Sequence, residues 1–236
     1  MPQIFSYLFR GREKILSSHQ AYDQGAAGLA RRLAGRLDSS LYLGSISRLL
    51  IDLNRSPSNR KSLYSSYSNS LDKAGRELLI KKYYEPYRKR LEEEVAAVIG
   101  RGRPILHISV HSFAPVKNGK VRQADIGLLY DPARNVEKDM CAFLVGFFQK
   151  NMVSIRLRRN YPYLGKTDGF TSFLRRIHTV RFYAGIEVEV NQALIAAGGR
   201  KKHKAEDLLA EGFKHIMKMR DFARFTEWLV EAGDGY

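Results

Sequence analysis

LHISVHSFAPVKNGKVRQADIGLLYD, running from Leu106 to Asp131, decides the fold class. Side chains alternate along a strand, so His107, Ser109 and His111 share one side of it. Ile105 to Val110 is apolar enough for a buried strand, and His111-Ser112, Pro115 and Gly119 mark its passage into a loop. In α/β sheets, ligands sit at the carboxyl ends of strands. Either histidine, read alone, is equally a satisfied core or loop residue.

Outward from this stretch, further strands are expected at 41–43, 47–53, 104–110, 125–130, 153–157 and 182–190. Helices are expected at 23–37, around EKDMCAFLVGFFQK, and over 73–99 with a bend at Pro86, because proline removes a backbone donor. The Ser- and Asn-rich segment 54–70 has too little apolar surface for an element of its own and is expected to be a long loop. A basic C-terminal helix is expected at about 203–232, with Leu209, Phe213, Ile216 and Trp228 on its apolar stripe. Alternation of this kind predicts a single α/β domain over 1–236, with a mixed, mostly parallel central sheet flanked by helices.

The composition suits such a domain: 44% hydrophobic and 11% aromatic residues in 236 supply a core. No apolar run is long enough to span a bilayer, and MPQIFSYLFRGREK lacks the zones of a secretory signal, so a cytoplasmic location is expected. The lone Cys141 excludes an internal disulfide and a cysteine metal site, and is expected to be a small buried hydrophobe. Forty basic against 24 acidic residues give a formal charge of +16, which attracts anions. The basic residues are dispersed over separate elements, with no zinc finger, KH loop or RNP aromatic pattern. They read as a solvated surface with anion steering before a nucleic-acid interface.

Three more clusters join the histidine strand. In SRLLIDLNRSPSN, Leu49, Leu50, Ile51 and Leu53 are expected to form a strand that delivers Asp52, Asn54 and Arg55 to its carboxyl end, where an Asn-Arg pair can clamp a carboxylate. In RLRRNYPYLGKTDG, Asn160, Tyr161 and Tyr163 flank a proline turn and Asp168-Gly169 closes a second, for which turn chemistry alone suffices. In IEVEV, Glu187 and Glu189 share one face of a strand, a costly placement unless they are paired or working.

These stretches, HQAYDQGAAGLARRLA, SRLLIDLNR, HISVHSFAPV with VRQADIGLLYD, RRNYPYLGKTDG and YAGIEVEVNQAL, resemble the N-formylglutamate amidohydrolases, a branch of the zinc-carboxypeptidase-like hydrolases. Ala114 departs from the threonine more usual in that family's HSFTP. The resemblance implies a zinc-dependent hydrolase acting on the linear amide of an N-formyl or N-acyl acidic amino acid. It also implies one zinc, held by a histidine and a carboxylate of an early segment and by a later histidine, which by position is His111. Zinc lowers the pKa of its bound water. A late-strand glutamate is then the general base, Glu189 first and Glu187 second. Asn54 and Arg55 look like the family's clamp for the substrate α-carboxylate. Arg48 or Arg122 is implied to bind the side-chain carboxylate or polarise the scissile carbonyl, and Asn160 and Tyr163 fall in the substrate-binding set.

The family pattern begins with a strand and a first metal-binding segment that have no counterpart here. A truncated or non-hydrolytic member that binds a carboxylate ligand or a polyanion is therefore the alternative expectation, together with an exposed sheet edge. His19 and Asp23, spaced i and i+4 at a helix entrance, are the candidates for the remaining metal ligands. The small molecule aside, the sequence leaves the oligomeric state open.

Overall fold

The computed structural model describes residues 2–151 and 154–218. Its core is a four-stranded sheet in the order β1-β6-β4-β5, formed by β1 (Ile105–Phe113), β4 (Ile126–Leu129), β5 (Leu157–Arg159) and β6 (Tyr183–Asn191). β1 and β6 are parallel, as are β4 and β5, while β4 and β6 are antiparallel. The sheet is thus mixed and mostly parallel, as expected, and β1 is one of its edges.

The two faces of the sheet are chemically different. Alternation sends Leu106, Ile108 and Val110 of β1, with Ala184, Ile186, Val188 and Val190 of β6, into one apolar layer. That layer is completed by α1 (Ala26–Leu37), α5 (Asn135–Asn151) and α8 (Gly199–Met217). Each presents a helical stripe: Leu29, Leu33 and Leu37 from α1, Met140, Cys141, Leu144 and Phe148 from α5, Leu209, Phe213 and Ile216 from α8. Cys141 is fully buried, and burial pushes its thiol pKa well up, so it packs as a hydrophobe. α1 starts after Gly25, whose φ of 78° is left-handed and whose missing Cβ leaves room for Ile195 of the short helix α7 (Gln192–Ala197). The predicted C-terminal helix is present from Gly199 to Met217; Trp228 and the stretch to 232 lie outside the described residues.

The opposite face carries His107, Ser109 and His111 beside Glu187 and Glu189. The parallel register sets Ser109 against Glu187 and His111 against Glu189. It is covered by two helices, α4 (Glu85–Gly100) and α6 (Phe170–Ile177), and by a second apolar cluster from the N-terminal region. The expected helix over 73–99 is α3 (Lys73–Leu79) and α4 joined by a π turn at Ile80–Tyr84, just before Pro86, whose missing donor interrupts the regular ladder there. Arg88 of α4 lies 3.9 Å over the Phe170 ring and donates to the Leu53 and Arg55 carbonyls, tying the helix to the loop beside the site.

Two predicted strands do not form. Residues 41–43 make no ladder, and 47–53 is a series of turns, with Leu50 and Ile51 amides bonding to the Ser47 carbonyl. Leu49, Leu50 and Ile51 are buried on all sides among Phe5, Phe9, Leu63, Leu71, Leu79 and Tyr84. A short apolar run signals burial without specifying the backbone, and here a turn-rich core segment fulfils it. The loop 54–70 contains two helical turns, α2 (Arg60–Leu63) and a 3-10 turn at Ser68–Ser70. The strand expected at 153–157 is β5, further along the chain. Between β1 and β4, β2 (Val116–Lys117) and β3 (Lys120–Val121) form a hairpin across Asn118-Gly119, both at positive φ as a tight primed turn requires.

Candidate active site

His111 is the centre of a hydrogen-bonded line across the carboxyl end of the sheet. Its Nδ1 donates to Asp23 Oδ2 at 2.8 Å, and its Nε2 lies 3.0 Å from Ser109 Oγ. The second oxygen of Asp23 accepts from Arg48 Nη2 at 2.5 Å. The loop before α1 thus delivers Asp23, the turn-rich segment after it delivers Arg48, and β1 delivers the histidine and the serine two residues apart on one face.

The charges of the group set one another. Burial alone would push the His111 pKa down, but the hydrogen bond and charge of Asp23, with Glu189 and Glu187 behind it, outweigh burial and hold it at about 9. Burial raises the Asp23 carboxyl, and His111 and Arg48 overcome that and keep it below its usual range. Glu189 is pushed up to about 7, mainly by burial, with the Asp23 and Glu187 charges adding to the rise and His111 and Arg48 opposing it. Its Oε2 is buried and has no hydrogen-bond partner among the described residues. Such an atom is costly in a structural role and is characteristic of a site that acts on something. Glu187 is differently placed: its Oε1 accepts from the Thr171 hydroxyl at the start of α6.

His107 belongs to the core. Its Nδ1 lies 2.9 Å from the Tyr183 hydroxyl, and burial, with Arg175 and His111, lowers its pKa to about 4, so the ring is neutral.

The expected Asn54-Arg55 clamp is engaged by protein. Arg55 donates to the Asp168 carbonyl and lies 3.8 Å from Asp52, and Asn54 Oδ1 accepts from the Phe170 amide at 2.7 Å. Asp168 fastens the same loop through the Ser56 amide and Asn59. Asn160, at φ 48°, uses its Oδ1 to hold the Tyr130 and Gly165 amides, so it shapes a turn. Nearby, Gly127 passes so close to the Tyr161 carbonyl that a Cβ would lie 1.8 Å from it.

Arg122 and Tyr163 do come together at the end of β1. Arg122 Nη2 donates to the Tyr163 hydroxyl at 3.0 Å, its guanidinium lies 5.0 Å over that ring, and Nη1 donates to the Ala114 carbonyl. Tyr163 is near enough to Arg48 to influence its charge, which places this pair beside the His111 line.

A family model for N-formylglutamate amidohydrolase matches residues 6–196. The chain belongs to the N-formylglutamate amidohydrolase family. Solved structures that share its fold include the following two. One is a gene product of Agrobacterium tumefaciens, 28% identical, with a TM-score of 0.74, 92% of this chain and 87% of that one being covered. The other is an N-formylglutamate amidohydrolase from Ralstonia eutropha JMP134, 16% identical, with a TM-score of 0.66 and coverage of 92% and 88%. A search of curated proteins gave no match.

Within this family member, the donors expected for zinc do not assemble. A catalytic zinc takes three protein ligands, yet no cluster of three His, Cys, Asp or Glu side chains suited to a metal exists among the described residues. Asp23 meets His111, as a ligand pair would, but both its oxygens face protein donors, and Arg48 brings a guanidinium where a metal cation would be needed. The pairing of His19 with Asp23 does not arise either. The helix begins at Ala26, so the i, i+4 spacing is not helical, and His19 is exposed. The described residues therefore do not fit the zinc site that the resemblance implied.

Of the candidate residues, the structure brings Glu189, Arg48 and His111 together. Sequence reasoning set Ser109 on the same face as His111 without giving it a role. The signal was present, because i and i+2 on a strand are neighbours.

Proposed function

We propose that this chain hydrolyses the amide bond of an N-formyl or N-acyl amino acid carrying a side-chain carboxylate. The observation that carries the reading is Glu189: a buried carboxylate with an unpartnered oxygen, poised near neutral pH, in register with His111 in a member of an amidohydrolase family. A carboxyl group titrating near 7 can take a proton from water and return it to the departing amine. Arg122, oriented by Tyr163 and the Ala114 carbonyl, offers a fixed fork for the substrate carboxylate, and Arg48 keeps positive charge at the other side of the group. A zinc ion, where one is held, would polarise the carbonyl and acidify water. This chain's described residues supply two of its ligands at most.

The experiment is a panel of N-formyl and N-acetyl derivatives of glutamate, aspartate, glutamine and leucine, with release of formate or acetate measured directly. Turnover of the acidic members, well above that of the neutral ones, supports the reading. Binding of N-formyl-L-glutamate by calorimetry with no release would instead favour a carboxylate-binding protein, a second reading motivated by the fully paired Asp23.

A further inference from the structure

We propose that the β2–β3 hairpin is a cationic arm for N-acylated acidic peptides, Lys117 and Lys120 taking a carboxylate one residue beyond the acidic residue that Arg122 holds; this rests on the hydrolase reading of the same site. The register decides which side chains share a face. Val116 is opposite Val121 and Lys117 opposite Lys120, and the Arg122 amide donates to the Pro115 carbonyl at the base of the hairpin. Side chains alternate along each strand, so Lys117, Lys120 and Arg122 project to one face and the two valines to the other. Tyr163 stands on the cationic face. Lys117 Nζ lies 5.5 Å, and the Arg122 guanidinium 5.0 Å, from the centre of its ring.

This arrangement has an electrostatic cost that the surrounding chain does not relieve. Like charges directly opposite one another on an antiparallel pair destabilise it, and the segment Ala114 to Arg122 carries three cations and no Asp or Glu. Asp125, the next acidic residue along, pairs with Arg156 and Lys201, and among the described residues Lys117, Lys120 and Arg122 form no ion pair. An anionic ligand supplies the missing counter-charge. Arg122 is buried whereas residues 116–121 are exposed, so the arm runs from the site out to solvent. Lys120 is two strand residues beyond Arg122, about 6.8 Å along the arm at roughly 3.4 Å per residue. The carboxylate that Arg122 holds belongs to the amino-acid half of the substrate, on the leaving side of the scissile bond. A cation farther out on the same arm meets a carboxylate farther along that half, as a second acidic residue in peptide linkage provides. An extra carboxylate on the acyl group would lie across the scissile carbon instead. Tyr163 and Leu164, 39% and 51% exposed, offer apolar surface to the intervening methylenes. The reaction itself is unchanged: water cleaves the terminal N-acyl amide, giving the free acid of the acyl group and a peptide with a free amino terminus.

The test compares N-formyl-L-glutamyl-L-glutamate with its neutral counterpart N-formyl-L-glutamyl-L-glutamine on the full chain, as kcat/KM for formate release and as Kd by calorimetry. We expect the acidic dipeptide to be preferred about fivefold at low salt, as two exposed ion pairs allow, and the preference to shrink at about 0.5 M salt. It should vanish in a variant carrying Lys117→Gln and Lys120→Gln, whose fold circular dichroism checks. If that variant does not fold, Lys120→Gln alone should lose about half of the preference or more. Equal handling of the two dipeptides by the wild type overturns the arm, as does a preference that the lysine substitutions leave intact. N-succinyl-L-glutamate against N-acetyl-L-glutamate is the control for the acyl side. A lysine-dependent preference for the succinyl compound, with none for the acidic dipeptide, overturns the peptide assignment. Lysine-dependent binding of the acidic dipeptide without formate release upholds the arm and overturns the hydrolase reading. Formate release from N-formyl-L-glutamate with no discrimination between the dipeptides does the reverse.

Discussion

Asp23 and His111 lie 88 residues apart in the chain and meet through a 2.8 Å hydrogen bond from His111 Nδ1 to Asp23 Oδ2. The bond joins the loop before α1 to β1 and holds the protonated ring of the histidine that faces Ser109. Asp23→Asn keeps the shape and removes the charge. Hydrolysis should fall about 100-fold or more, because the charge that holds the His111 ring protonated and oriented is lost. Steady-state kinetics of the variant, with far-UV circular dichroism to check the fold, measure this.

Stability should fall as pH rises, for a reason local to the site. The folded pKa of His111 is about 9 against an ordinary 6.5, and that of Glu189 about 7 against 4.5. Both groups hold protons in the folded state that the unfolded chain has released. The His111 contribution is full below about pH 6.5 and is lost through about pH 9, while the cost of ionising Glu189 is absent below about pH 4.5 and complete above about pH 7. Chemical denaturation of the wild type between pH 5 and 9, alongside a variant carrying His111→Gln and Glu189→Gln, should show the slope in the wild type and a flatter profile in the variant.

Arg122 is an orienting fork for the substrate carboxylate. Arg122→Lys retains the charge but loses the planar pair of donors. For N-formyl-L-glutamate KM should rise about tenfold with kcat little changed, since one carboxylate contact is worth about 1.4 kcal/mol or more. A neutral N-formyl substrate should be unaffected. Equal losses on both would place Arg122 outside the binding of the side chain.

The most consequential ion pair for folding lies away from the chemistry. Glu137 is fully buried, takes Arg175 Nε at 2.9 to 3.0 Å, and also accepts from the Gly185 and Asp131 amides. Arg175 in turn donates to the Gly165 and Gly185 carbonyls, which sets α6 against β6 beneath the site. Arg175→Met leaves the buried carboxylate with Arg134 alone, 3.2 Å away, and strips the donors from the Gly165 and Gly185 carbonyls, and should cost about 1.5–3 kcal/mol by denaturant unfolding.

How far the sequence discloses all this depends on the kind of signal. The histidine strand and IEVEV alternate with period two, and both strands and their shared polar face are as read. The stripes of α1, α5 and α8 are equally plain, since a 3.6-residue period survives any tertiary context. Leu49 to Leu53 misled because four neighbouring apolar residues report burial and carry no period. The VKNGKV hairpin had its Asn-Gly signal in view and was read as loop because its strands are two residues each. Asn54 and Arg55 sit after a turn and not at a strand end, and with Asn160 they are engaged by Asp168, Phe170, Tyr130 and Gly165, partners that no local pattern names. The Asp23–His111–Ser109 line was hidden for the same reason: its members come from two distant segments, and only the tertiary fold joins them.

The most direct test of the central claim is formate release from N-formyl-L-glutamate at pH 8 by the wild type and by Glu189→Gln, each paired with a denaturation curve. Glutamine fills the same space without ionising. Turnover should be lost by about 1,000-fold or more, while stability at pH 8 should rise by about 1–3 kcal/mol as the buried charge is removed. Opposite movement of activity and stability is the signature of a carboxylate kept ionisable for catalysis. Undiminished formate release by Glu189→Gln would contradict the account.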